Sequence, residues 1–90
     1  MTYGVTLNEA VDIVCSVNAE PAAQEFRWVF NNTSEMIDQS VDTFTISNNN
    51  STLTYKPITE LDYGNILCWA KNDVGENKDP CVFRILQACK

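Results

Sequence analysis

The chain has 90 residues, with six basic and twelve acidic side chains, a net charge of −6 and no histidine. That length makes one domain, and a chain this short buries only about 60–65% of the surface it exposes when unfolded, so a cross-link is useful to it. Nucleic acid and direct contact with an anionic membrane are disfavoured as partners: both need a basic patch, and Arg27, Lys56, Lys71, Lys78, Arg84 and Lys90 are scattered along the chain. Without imidazole, the nucleophilic and zinc chemistries that depend on it are excluded, and an enzyme is not expected.

Apolar residues at Val11, Ile13, Cys15 and Val17 alternate with Asp12, Val14 and Ser16, the period of a strand with one buried face. Asn18-Ala19-Glu20-Pro21 breaks it with a turn, since proline's fixed φ suits one. The next strand puts Phe26, Trp28 and Phe30 on one face and Arg27 and Val29 on the other. Phe44 and Ile46 predict a short strand, Asn48-Asn49-Asn50 a tight polar turn, and Leu53 with Tyr55 a strand that Pro57 ends, because proline cannot donate to a ladder. Ile66, Cys68 and Ala70 face inward on the following strand. Asn72-Asp73-Val74-Gly75 begins a hairpin, and Phe83 with Ile85 lays the last strand on the core. No helix of useful length is required.

Cys15, Trp28 and Cys68, in that order and each on an inward position of a strand, resemble the pin of an immunoglobulin domain, in which a disulfide joins two sheets beside a buried indole. The expected fold is all-β: an immunoglobulin-like β-sandwich of intermediate (I-set) or constant-like type, two antiparallel sheets joined by one inter-sheet disulfide. About fifty residues between the cysteines leave little room for the two extra strands of a variable-type domain. A Cys15–Cys68 bridge stabilises by roughly 4 kcal/mol in the chain-entropy picture and needs an oxidising compartment. The usual tyrosine two residues before the second cysteine is here Ile66, and Tyr63 lies five residues before it, so the ordinary tyrosine corner is expected to be absent. Four cysteines permit three pairings. Cys81 and Cys89, eight residues apart on one extended strand, would stand about 26 Å apart, against a limit near 7 Å. Cys81 shares the parity of Phe83 and reads as a small buried thiol; Cys89, near the chain end, is open to two readings, a free thiol for intermolecular bridges or an incidental cysteine.

The runs Ser51-Thr52-Leu53-Thr54-Tyr55-Lys56-Pro57, Leu61-Asp62-Tyr63-Gly64-Asn65-Ile66-Leu67-Cys68-Trp69, Asn72-Asp73-Val74-Gly75 and Pro80-Cys81-Val82-Phe83 resemble immunoglobulin domains of invertebrate neuronal cell-adhesion receptors of the sidestep family, with nephrin-like proteins next. The likeness covers residues 51–89 well and the first half through Cys15, Trp28 and the general pattern. It implies residues 1–90 to be one domain of a larger, membrane-anchored ectodomain in adhesion or axon guidance, its partners the other extracellular domains of the same chain, with a cell-surface immunoglobulin-superfamily ligand bound mainly by those. No leader is visible at the start, consistent with excision from such a parent. The charge opposes self-association, so the isolated domain is expected to be a monomer without cofactor or metal. The acidic stretch Asp73 to Asp79 lacks the spacing of a calcium loop and contains a lysine, and the carboxylate pairs Glu20–Glu25 and Glu60–Asp62 read as solvated surface charge. Overlapping Asn-x-Ser/Thr acceptors at Asn31 and Asn32, and at Asn49 and Asn50, are glycosylation candidates in loops. Trp69, outward because it follows Cys68, is the candidate interaction aromatic, open to cover by the stems of Arg27 or Lys71. Spacer and recognition module remain open as roles, as do an intracellular muscle-type domain and a secreted immune domain.

Overall fold

The computed structural model describes residues 2–18, 21–23, 25–32, 35–39, 43–76 and 80–88. Among them are eight strands: β1 (Thr2–Val5), β2 (Val11–Ser16), β3 (Glu25–Asn31), β4 (Met36–Asp38), β5 (Phe44–Ser47), β6 (Asn50–Tyr55), β7 (Gly64–Lys71) and β8 (Cys81–Gln87), with one 3-10 turn at Glu60–Asp62. They form a five-stranded sheet, β1-β8-β7-β3-β4, facing a three-stranded sheet, β2-β6-β5. This is the immunoglobulin-like sandwich, and Cys15 on β2 is bridged to Cys68 on β7 across it, Cα to Cα 6.6 Å. The turn at 18–21 and the loop at 73–79 fall partly on residues outside those described, as does Cys89.

Period-two alternation builds the core as the pattern predicts. Ile13 and Cys15 of β2, Leu53 and Tyr55 of β6, Phe26, Trp28 and Phe30 of β3, Ile66, Cys68 and Ala70 of β7, and Phe83 and Ile85 of β8 are all buried. Trp28 fills the centre, stacked on Phe83 with ring centroids 6.0 Å apart and tilted against Phe44 at 6.5 Å. Its indole nitrogen donates to Ser51 Oγ at 2.9 Å, and that hydroxyl donates to the Thr45 carbonyl at 2.7 Å. The bond explains why a serine is the buried polar residue among the described residues of this core: a buried N–H needs an acceptor.

Three features depart from the expected layout. The large sheet is not wholly antiparallel, for β1 runs parallel to β8 (Thr2 opposite Arg84, Val5 opposite Gln87). Because the chain leaves β1 to enter β2 in the other sheet, it has no hairpin partner, and it caps the open edge of β8 by burying Val5 and packing Tyr3 on Phe83. A short extra strand exists as well: β4 pairs antiparallel with Val29–Asn31 at the far edge. Finally Val29, placed by parity on the outer face of β3, lies on that face yet is fully buried, between Asp38 of β4 and Leu67 of β7 in the ladder.

Ile66 occupies the position of the usual corner tyrosine and is fully buried. Two other tyrosines bind in its place. Tyr55 donates to the Asp62 carbonyl at 2.6 Å, and Tyr63 donates to the Val5 carbonyl at 2.8 Å, tying the turn before β7 to the end of β1. Asp62 secures the same turn with a carboxylate oxygen that accepts from the Ile58 and Thr59 amides at 2.8 and 3.1 Å. Gly64 follows because a Cβ there would stand 2.7 Å from the Asn31 carbonyl.

Candidate functional site

The outer face of the five-stranded sheet holds the candidate interaction aromatic. Trp69 of β7 sits directly opposite Arg27 of β3, both outward by strand parity. The guanidinium lies over the indole, its carbon 5.3 Å from the ring centroid, a cation–π contact. Arg27 also pairs with Asp38 of β4 at 3.3 Å, and Lys71 pairs with Glu25 at 3.8 Å. Trp69 is therefore half-buried beneath a paired arginine rather than presented bare. Both ion pairs are more than half exposed, and such pairs contribute only ~0–1 kcal/mol; their role is to set where the side chains lie.

The fold brings Arg27, Lys71 and Arg84, distant in sequence, onto this one face, where Asp38 accompanies the first and Glu25 the second. A short apolar row crosses the same face: Val29 is opposite Leu67, and Leu67 is opposite Val82. Val82 is about half exposed. The row could have been traced from the sequence by following the outward parity of three strands, but only once their register was known. Separately, a groove of about 570 Å³ is lined by Phe26, Phe44, Ile46 and Trp69 with the charged side chains of Glu25, Arg27, Lys71 and Glu76.

The four sequon asparagines fall in different settings. Asn32 is folded into a turn, its amide nitrogen donating to the Leu61 carbonyl at 3.0 Å while its oxygen accepts from the Glu35 amide at 2.8 Å. Asn49 adopts φ of 65°, a conformation asparagine tolerates, and its side-chain oxygen accepts from the Ala23 amide at 2.7 Å. Asn31 is half-buried at the end of β3, and Asn50, first residue of β6, is exposed. The hydroxyl acceptor of the Asn49 sequon is Ser51, which the core uses to hold Trp28; Thr33 and Ser34 lie outside the described residues. Asn50 is thus the most open of the four.

No group of three or more acidic, cysteine or histidine residues that could hold a metal is present among the described residues. Two tyrosines are perturbed by the fold. Burial, with Asp62 and Tyr63 nearby, pushes the Tyr55 hydroxyl far above the ordinary tyrosine range. Tyr63 is raised by desolvation and by the carboxylates of Glu9, Asp62 and Glu60. Both hydroxyls donate to backbone carbonyls at the corner, a structural use.

The family model of the immunoglobulin domain matches residues 1–72. The chain belongs to the immunoglobulin domain family. Among solved structures this immunoglobulin chain is similar to the twitchin kinase region from C. elegans (19% identity, TM-score 0.68), covering 97% of this chain and 15% of that one. It is similar also to the neural ectodermal development factor IMP-L2 (26% identity, TM-score 0.64; 99% of this chain, 40% of that one) and to a pair of titin tandem immunoglobulin domains (24% identity, TM-score 0.64; 98% and 42%). This chain spans less than half of each of these chains. The twitchin likeness is one of immunoglobulin fold over a small part of that chain, not of a kinase. No curated protein sequence matches.

Proposed function

We propose that the chain is an extracellular immunoglobulin domain of a cell-adhesion or guidance receptor, one unit of a longer single-pass ectodomain, and that it acts as a spacer near the membrane. The Cys15–Cys68 bridge carries the compartment: such bridges persist in oxidising surroundings and are rare in the cytosol. The sidestep-like runs in residues 51–89 supply the receptor class. The spacer role rests on Trp69. An interface anchor is an aromatic free to enter a partner's pocket, whereas this one is engaged by Arg27 within its own sheet. A long axis of 43 Å against 24 and 22 Å suits a link between neighbouring domains.

The test is a replacement. Exchanging residues 1–90 within the parent ectodomain for an unrelated immunoglobulin domain of equal length is expected to leave ligand affinity within about twofold. A tenfold loss, about 1.4 kcal/mol, overturns the spacer reading and makes Trp69→Ala the next variant. Secretory-host material is expected to carry glycan at Asn50 first, read as a mass shift removed by deglycosylation. The likeness to titin and twitchin domains favours a second reading, an intracellular muscle-type domain. Protein taken from its source with Cys15 and Cys68 both alkylatable without reduction selects that reading.

A further inference from the structure

The half-bridge Cys68 faces Cys81 directly across the β7–β8 ladder, in the pair that begins it. Opposed residues of an antiparallel pair share a face with Cα atoms about 4.5–5.5 Å apart, inside the ~4.4–6.8 Å that a disulfide spans. Three cysteines thus meet between the sheets: two bridged and fully buried, and Cys81, a free thiol with part of its surface open. Cys81 borders a groove of about 620 Å³ at one end of the sandwich, with Val17, Ala23, Ala70 and Val74 around it and Glu76 as the charged side chain among its described lining residues.

We propose that Cys81 and the Cys15–Cys68 bridge form an exchange pair, in which the disulfide passes from Cys15–Cys68 to Cys68–Cys81. The Cys81 thiolate attacks Cys68 Sγ, and a Cys68–Cys81 bond forms as the Cys15–Cys68 bond breaks. The electron pair of the broken bond leaves on the Cys15 sulfur, which takes up the proton that Cys81 released. One disulfide and one thiol stand on each side, so neither oxidant nor reductant is consumed. The two states differ in what is held. The first joins β2 to β7 over a sequence separation of 53 and ties sheet to sheet; the second joins neighbouring strands of one sheet and leaves the sheets held by packing around Trp28. The proposal is independent of the receptor reading and requires only that the first bridge has formed.

The test uses the 90-residue chain carrying Cys89→Ser, so that Cys81 is the one cysteine outside the bridge. The folded protein is held at pH 8 without added thiol, sampled over hours, acid-quenched, alkylated and digested without reduction. A Cys68–Cys81 peptide, accompanied by alkylated Cys15, is expected to reach at least a tenth of the bridged population and to vanish in Cys81→Ser. A map that keeps Cys15–Cys68 throughout, with Cys81 alkylated, overturns the proposal. So does a Cys15–Cys81 product, which would mean attack on the other sulfur. In Cys15→Ser, air oxidation is expected to give Cys68–Cys81, and two persistent thiols in the folded variant count against it; if that variant does not fold, the map of the bridged chain decides.

Discussion

The centre of the sandwich and the corner before β7 are held by different means. Of the corner's two tyrosine bonds, the one from Tyr55 of β6 reaches between the sheets, while the one from Tyr63 stays within the five-stranded sheet. At the centre, a covalent bridge and an indole packed between Phe83 and Phe44 hold the two sheets, with one hydrogen bond from Trp28 to Ser51. At the corner before β7, tyrosine hydroxyls reach carbonyls: Tyr55 to Asp62, and Tyr63 to Val5. The centre gains from buried apolar area and loop closure, which are large and non-directional. The corner gains from single directed bonds, each worth about 1 kcal/mol net. A fold can therefore lose the tyrosine at its usual place, as Ile66 does here, provided that other hydroxyls reach the same corner.

The comparison breaks most visibly at the centre. Replacing both Cys15 and Cys68 by alanine is expected to cost roughly 4 kcal/mol, read as a shift in the denaturant midpoint; a loss under about 1 kcal/mol would mean that the indole packing alone holds the sheets. Ser51→Ala comes next, at about 1–3 kcal/mol, because it leaves the buried Trp28 N–H without its acceptor. At the corner, Tyr63→Phe is expected to cost about 0.5–1.5 kcal/mol while leaving the aromatic packing intact. A loss as large as that of the bridge would show that β1 depends wholly on this bond. The smallest effect appears only in alkali. Tyr55 and Tyr63 stay protonated in the fold to higher pH than in the unfolded chain, so their contribution is complete below the unfolded tyrosine pKa of about 10 and is lost as pH rises beyond it. Thermal melts should thus be insensitive to these groups at neutral pH and fall above about pH 10, less steeply in Tyr55→Phe.

The centre was legible in the sequence because large apolar residues at alternate positions announce a buried face without knowledge of what lies opposite. Cys15, Trp28, Cys68, Phe83 and Ile85 could each be placed by parity alone. The corner was not, because Tyr63 bonds a carbonyl 58 residues away on β1, and β1 itself is four residues long with a glycine inside it. The strand β4 left no trace either, since Met36, Ile37 and Asp38 are all exposed and carry no inward position to read. The candidate site was legible in half. That Trp69 points outward follows from Cys68, but its cover by Arg27 depends on the β3–β7 register, which parity does not supply. The meeting of Cys81 with Cys68 needed the β7–β8 register in the same way.

The parallel pairing of β1 with β8 bears on how the domain carries tension. A pull that draws the chain away before Thr2 and, in the opposite direction, after Gln87 acts along two neighbouring strands in opposite senses. The ladder bonds between them are then loaded in shear, all at once, together with the Tyr63–Val5 bond and the Ala88 amide on the Val5 carbonyl. A hairpin pulled at its open end parts one bond at a time; this edge must slide as a unit before anything behind it moves. Once it has slid, the Cys15–Cys68 bridge keeps the segment it encloses from lengthening, so that only the stretches outside it can extend.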